Sequence, residues 1–268
     1  MKRWIALVLI GGLMTLAGCY TNPVTGRRSL VLLSQGEEVA LGQASFAELR
    51  QKQRAATDPI VNARVKRIGE RIAQAVGNEL PDAKWEFVVF EADDVNAFAL
   101  PGGKVGVYTG LIKLVGSDDE LAIVMGHEIG HVIARHGSER MSQGMVIAGV
   151  GALGTTAVEA KSDAQKAQLF QQAYGGLTTL ALVLPHSRGN ESEADRMGAL
   201  YAARAGYDPR ASITFWQKMS AQKGNAAAGG KWSVLMSTHP ADAQRIADLE
   251  ALMPQVVPVF EQNRGKFQ

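Results

Sequence analysis

His127 and His131 stand four residues apart in the stretch MGHEIGHVIARHG (residues 125–137), with Glu128 directly after the first. On an α-helix this spacing sets the two imidazoles about 40° apart around the axis and one turn up, so both can offer a neutral ring nitrogen to one metal ion. Glu128 lies about 100° round from His127, near enough to address a metal-held water without entering the ligand shell. The pattern suits zinc, which in a catalytic site takes three protein ligands and keeps a fourth position for water. The same residues could instead be two histidines on the polar face of a solvated helix. Leu121, Ile123, Val124, Met125, Ile129, Val132 and Ile133 leave little polar face. A buried helix must give its histidines partners, so the metal reading is preferred.

A third ligand is then needed. The longer motif with another histidine six residues on is excluded, because Gly137 occupies that place. Downstream, SRGNESEADRMG (residues 187–198) offers Glu191, Glu193 and Asp195 near the start of a helix. Glu191 and Asp195 share a face, whereas Glu193 points about 200° away from Glu191. The economical assignment is Glu191 as ligand and Asp195 orienting a histidine N–H. Glu193 reads as a solvated surface charge.

These side chains need elements to hold them. Ser117 and Glu120 form a capping-box pattern that opens the histidine helix, and Gly137 is a natural residue to end it. His136, just before that glycine, suits the negative end of the helix dipole. A helix over about residues 190–205 carries the carboxylates. Ser34 and Glu37 open another helix to about Arg54, and Asp58-Pro59 opens one along which Ile60, Val61, Val65, Ile68, Ile72 and Val76 recur at helical spacing. WEFVVF (85–90) and KVGVYTG (104–110) read as strands, the second following the turn Pro101-Gly102-Gly103. An edge strand within residues 96–108 could take a peptide as one more strand, with Asn96, Phe98, Ala99 and Leu100 as substrate contacts. It could also be an ordinary hairpin. Residues 144–158 are apolar and interrupted by glycines, which fits a packed helix or an active-site cover better than a bilayer span. Further helices are expected over about 163–184 and after Asp208-Pro209 and His239-Pro240. Without a linker or repeat, residues 34–268 read as one mainly helical α+β domain with a small sheet.

With 46% hydrophobic and 20% charged residues, the 268-residue chain can bury a core and is not a disordered protein. Its net charge of +2 gives no reason to expect nucleic acid, which needs a clustered basic surface. Lys2 and Arg3 precede an apolar run from Trp4 to Leu16, too short for a transmembrane helix, so residues 1–18 read as a signal peptide. Leu16-Ala17-Gly18-Cys19 resembles the lipobox of bacterial lipoproteins, which makes Cys19 the expected acylation site and residues 19–33 a tether. Tyr20 stands where an aspartate would favour retention at the inner membrane, pointing to the periplasmic face of the outer membrane. Cys19 is the only cysteine, so no intramolecular disulfide and no thiolate ligand are expected.

HEIGH (127–131) followed by ESEAD (191–195), with NAFALPGGKVGVYTGL (96–111) upstream and STHP (237–240) downstream, resembles the HtpX and CAAX-prenyl-protease family of gluzincin zinc metallopeptidases. The lipobox makes the chain similar to its periplasmic lipoprotein branch, the LoiP-like and BepA-like proteases. The resemblance covers residues 34–252. It implies a zincin-type fold, one zinc per chain held by His127, His131 and Glu191, and Glu128 as general base. It also implies support from Asp195, and His239 and Arg245 near the substrate oxyanion. The tetratricopeptide-like repeats of larger relatives are absent after the HP helix, and the lack of membrane-embedded helices argues against prenylated substrates. The implied protein is a lipid-anchored zinc endopeptidase of the bacterial envelope that cleaves misfolded or unassembled envelope proteins, with an envelope assembly machine as a partner.

Two questions stay open at this level. His239 could occupy the fourth zinc position as a latch, donate to the oxyanion, or be a satisfied loop histidine. The rival function is a non-proteolytic assembly lipoprotein with a structural zinc. Such a site normally has four protein ligands and gives Glu128 no purpose. His186 reads as a surface residue.

Overall fold

The computed structural model describes residues 19–81, 83–153, 186–222, 233–240 and 242–266. The signal peptide expected at 1–18 and the helix expected over 163–184 lie outside the described residues. So does the part of the Gly-rich segment beyond residue 153.

The fold is mainly helical with a small sheet. Helix α1 (Gln35–Lys52) begins with the reciprocal cap read from the sequence: Ser34 Oγ accepts from the Glu37 amide while the Glu37 carboxylate accepts from the Ser34 amide. At the start of α2 (Pro59–Val76), Asp58 accepts from the amides of Ile60 and Val61. Its core-facing stripe is Val65, Ile68, Ile72 and Val76, whereas Ile60, in the first turn, is 78% exposed and falls off it.

Strands β3 (Glu86–Phe90), β4 (Ala97–Leu100) and β5 (Lys104–Tyr108) form a sheet of order β3-β5-β4. β3 runs parallel to β5, with Glu86 opposite Lys104. β4 runs antiparallel to β5, with Ala97 opposite Val107, and is therefore an edge. Gly102 and Gly103 close this hairpin at φ +84° and +79°, conformations that glycine adopts without strain. Phe98 packs edge-on to Phe46 and Tyr108 and stacks on Phe90 beneath α1. That packing fixes the edge strand in place.

After the short α3 (Thr109–Leu114), α4 (Asp118–Ile133) carries both motif histidines through the core, packing against β4 on one side and α6 (Arg188–Arg204) on the other. Ser117 Oγ caps α4 by accepting from the Glu120 amide. The Glu120 carboxylate, however, accepts from Gly116 N and pairs with Lys218 instead of completing the box. α5 (His136–Leu153) follows α4 directly. Helices α7 (Ala211–Ala221), α8 (Ser233–Thr238) and α9 (Ala243–Asn263) then complete the wall behind α6.

Two expectations fail here. The histidine helix ends at Ile133, and the left-handed residue is Arg135, at φ +56°, not Gly137, which lies inside α5. A non-glycine side chain at such a φ costs about 1–2 kcal/mol. Arg135 offsets this with a guanidinium bound to the buried Glu38 carboxylate and the Leu33 carbonyl. The 19–33 segment is no loose tether either. β1 (Cys19–Thr21) and β2 (Arg28–Leu30) pair as an antiparallel hairpin, and Tyr20 donates to the Ile133 carbonyl at the end of α4, 2.8 Å away. Among the described residues, no helix is long and apolar enough to cross a membrane.

The α4–α6 contact is made by glycines. A Cβ on Gly198 would stand 2.7 Å from the His127 amide nitrogen, and one on Gly126 would stand 2.9 Å from the Gly198 carbonyl oxygen. The atoms met are backbone and cannot rotate away. Gly198→Ala is therefore expected to lower the unfolding free energy by about 1–3 kcal/mol, the usual cost of overpacking. Urea denaturation would check this, and a wild-type midpoint would refute the close-contact argument.

Candidate metal centre

α4 and α6, held this close, bring His127 and His131 against Glu191, and the loop after α8 adds His239. All four side chains are buried. His127 Nε2 lies 3.0 Å from His131 Nε2, 3.2 Å from His239 Nδ1 and 3.5 Å from Glu191 Oε2. Glu191 Oε1 is 3.4 Å from His131 Nε2 and 3.1 Å from His239 Nδ1. A tetrahedron of metal bonds of about 2.0–2.1 Å has edges of about 3.3–3.4 Å, so these five separations match the ligand atoms of one ion. A metal therefore fits the donors present. Arg245 pairs with both buried carboxylates, Glu191 and Asp195, and Glu191 also feels the charge of Arg140.

The ring atoms turned away from this point also have partners. His127 Nδ1 sits 2.9 Å from Asp195 Oδ1, though off the line of its N–H bond, and His131 Nδ1 is 2.8 Å from His136 Nδ1. Burial disfavours a protonated His127, yet Asp195 and Glu191 outweigh it and lift its pKa to about 9. Burial, with His186 beside it, holds His131 well below the usual histidine value. Glu191 is kept well below the carboxylate range despite its burial, by His239, His127 and His131.

Glu128 differs from the other acids. Its Oε1 is buried without a hydrogen-bond partner, His239 Nε2 being 3.4 Å away. Burial raises its pKa, with His239 and His127 pulling the other way. It opens on a cleft lined by Phe98, Ala99, Leu100, His131, Arg140 and His186. The β4 strand expected to meet a peptide therefore borders the centre, but the side chains of Asn96, Phe98 and Leu100 are buried, and the Asn96 carbonyl accepts from Tyr108 N within the hairpin.

Arg245 is placed differently from the oxyanion position that the resemblance implied. Its Nε and Nη2 donate to Asp195 at 2.7 Å each, and its Nη1 meets Glu191 at 2.8 Å and the Pro240 carbonyl at 3.1 Å. The guanidinium lies 3.7 Å over the Trp216 ring, which also packs edge-on to His127. It locks the carboxylates from behind and does not line the cleft. Glu193 is also not a surface charge. It is buried, with Oε2 3.0 Å from His136 Nε2, and it binds Arg27, Thr25 and Asn22 of the N-terminal hairpin. His136 is fully buried, and the half-buried His186 lies against the His131 ring, centroids 3.9 Å apart at a tilt of 31°. The sequence carried one signal for this pair: a second histidine five residues after His131 and a second acid two after Glu191. Glu193 faces away from Glu191 on the helix, but the hairpin and not solvent covers that face.

The chain is 31% identical over 258 residues to the mitochondrial metalloendopeptidase OMA1 of Schizosaccharomyces pombe, covering 94% of this chain and 72% of that protein. It is 28% identical to the beta-barrel assembly-enhancing protease of Escherichia coli, covering 92% of this chain and 50% of that protein. The human mitochondrial metalloendopeptidase OMA1 is 28% identical, covering 90% and 47%. The chain spans about half the length of the last two. These relatives overturn the outer-membrane, periplasm-facing location expected from the lipobox: several are mitochondrial, so relatedness does not carry that address. Residues 59–253 match the Peptidase family M48 model, a span holding every candidate ligand above, and the chain belongs to Peptidase family M48, a family of metalloendopeptidases.

Proposed function

We propose that the protein is a zinc-dependent endopeptidase that cleaves misfolded or unassembled envelope proteins, with His127, His131 and Glu191 as ligands. The observation that carries this reading is the buried Glu128 carboxylate, its Oε1 without a hydrogen bond, beside a convergent set of metal-ligand atoms. Zinc held there supplies Lewis-acid chemistry and brings the pKa of water from 15.7 down to about 7. Glu128 is the proton acceptor for the attacking water and returns the proton to the leaving amine. The raised pKa of Glu128 suits both tasks, since a base that is too weakly basic cannot take the proton and one that is too strongly basic cannot give it back. The outer edge of β4 aligns the substrate backbone through main-chain hydrogen bonds, with little demand on side-chain identity. A preference for unfolded segments follows, because a folded strand has no free backbone to lend. The name of the Escherichia coli relative, which refers to beta-barrel assembly, supports unassembled proteins as the substrate class. Acylation at Cys19 belongs to the same reading.

His239 decides between two forms of the site. Its Nδ1 stands with the ligand atoms of His127 and Glu191, where it can complete a four-donor shell. A closed shell of four protein donors is also the mark of a structural zinc, the observation that favours the rival assembly-factor reading. A structural site has no use for a buried carboxylate oxygen without a hydrogen bond, which costs about 1–3 kcal/mol or more. The closed shell is therefore read as a latch that must open for water to enter.

Glu128→Gln is expected to abolish cleavage of an unfolded protein, by at least about 100-fold, while the zinc content measured by mass spectrometry stays at that of wild type. Retained cleavage would remove the enzyme reading. His239→Ala should raise resting proteolysis. Activity equal to or below wild type rules out the latch. Asp195 is held below its ordinary 3.8 by Arg245 and His127, against its burial. Its stabilising contribution is fully present above pH 3.8 and disappears as pH falls through the lower folded value. Asp195→Asn should therefore cost about 3–5 kcal/mol at pH 7, as for a broken buried pair. The gap should close in strong acid, as followed by unfolding at several pH values.

A further inference from the structure

We infer that the N-terminal hairpin, residues 19–33, is a positioning device for the metal ligand His131, acting through Glu193 and His136; this rests on the metal reading above. The connection is continuous. His131 Nδ1 is 2.8 Å from His136 Nδ1, and His136 Nε2 is 3.0 Å from Glu193 Oε2. Among the described residues, the other bonds to Glu193 come from the hairpin: Asn22 Nδ2 donates to Oε1 at 2.7 Å, Thr25 Oγ1 donates to Oε1, and Arg27 Nε donates to Oε2. Arg27 is itself clamped in two-point contact on Glu139, at 2.9 and 2.8 Å.

The tautomers work only in one direction. A metal on His131 Nε2 requires the ring proton on Nδ1, so His131 donates to His136 Nδ1. His136 must then carry its proton on Nε2, the atom that faces the Glu193 carboxylate. Two neutral rings with one proton each satisfy both ends, and the series terminates on an anion whose position the hairpin fixes. A carboxylate behind a ligating histidine orients the ring and raises its basicity. Here the carboxylate is one imidazole further back, and its position is set by a segment outside the 59–253 family match. The same hairpin begins at Cys19 and reaches the end of α4 through Tyr20. The ligand geometry of His131 is therefore set in part by the first residues of the described chain.

The test uses the full chain with Glu193→Gln and, as a change at a partly exposed position, Arg27→Gln. Zinc affinity is measured by competition with a chromophoric chelator, cobalt(II) ligand-field spectra are recorded, and the metal-free proteins are melted in parallel. Lys218→Gln, which breaks the pair between α7 and Glu120 in the first turn of α4, eleven residues before His131, serves as the control for a purely structural loss. Zinc affinity should fall about 10–100-fold in Glu193→Gln and by a smaller factor in Arg27→Gln, with altered cobalt spectra. Lys218→Gln should leave both at wild type whatever its melting temperature. Wild-type affinity and spectrum in Glu193→Gln, or losses matched by Lys218→Gln at equal stability, would overturn the inference. A wild-type protein that holds no zinc would instead overturn the metal reading beneath it.

Discussion

The backbones of α4 and α6 touch at Gly126 and Gly198, so the two helices sit closer than side chains would allow. Glu191 reaches the imidazoles only across that contact. A separation greater by the width of one methyl group would pull the carboxylate out of ligand range, because a glutamate extending from one helix has limited reach toward rings rooted on another. The centre is therefore a property of the helix crossing, and the ligands lie near the contact that sets their separation.

That crossing also buries charge. Glu191, Asp195 and Arg245 lie in the interior with the imidazoles of His127, His131 and His239, and none could be there alone, since an unpaired buried ion is strongly destabilising. Arg245 resolves this by bridging both carboxylates while stacking on Trp216, and its fork geometry holds Asp195 with two bonds at once. Glu128 Oε1 makes no hydrogen bond, with His239 Nε2 3.4 Å away. The carboxylate that carries this unsatisfied oxygen faces the cleft and the β4 edge, so the part of the site left chemically unfinished is the part a substrate can reach.

Much of this was legible in the chain because it depends on local geometry. Helical spacing put His127 and His131 on one side and Glu191 with Asp195 on another. The caps at Ser34, Asp58 and Ser117 are read from side-chain chemistry within three residues. Strands β3 and β5 follow from their β-branched and aromatic residues. Failures came where a distant segment altered a local rule. Gly137 lost the left-handed position to Arg135 because Glu38, far earlier in the chain, holds the arginine. Glu193 looked solvated because helix geometry turns it away from Glu191, but the hairpin covers that side. Arg245 was expected at the oxyanion and instead lies behind the ligands.

The sequence by itself determined which residues can bind a metal and on which helical faces they stand, since both follow from residue type and a 3.6-residue period. Only the tertiary structure decided that His239 joins the ligand atoms, that β4 is the strand with the open edge, and that residues 19–33 pack as a hairpin behind His131. Each of these depends on contacts between segments far apart in the chain, whose approach is governed by packing and charge pairing that no local pattern encodes.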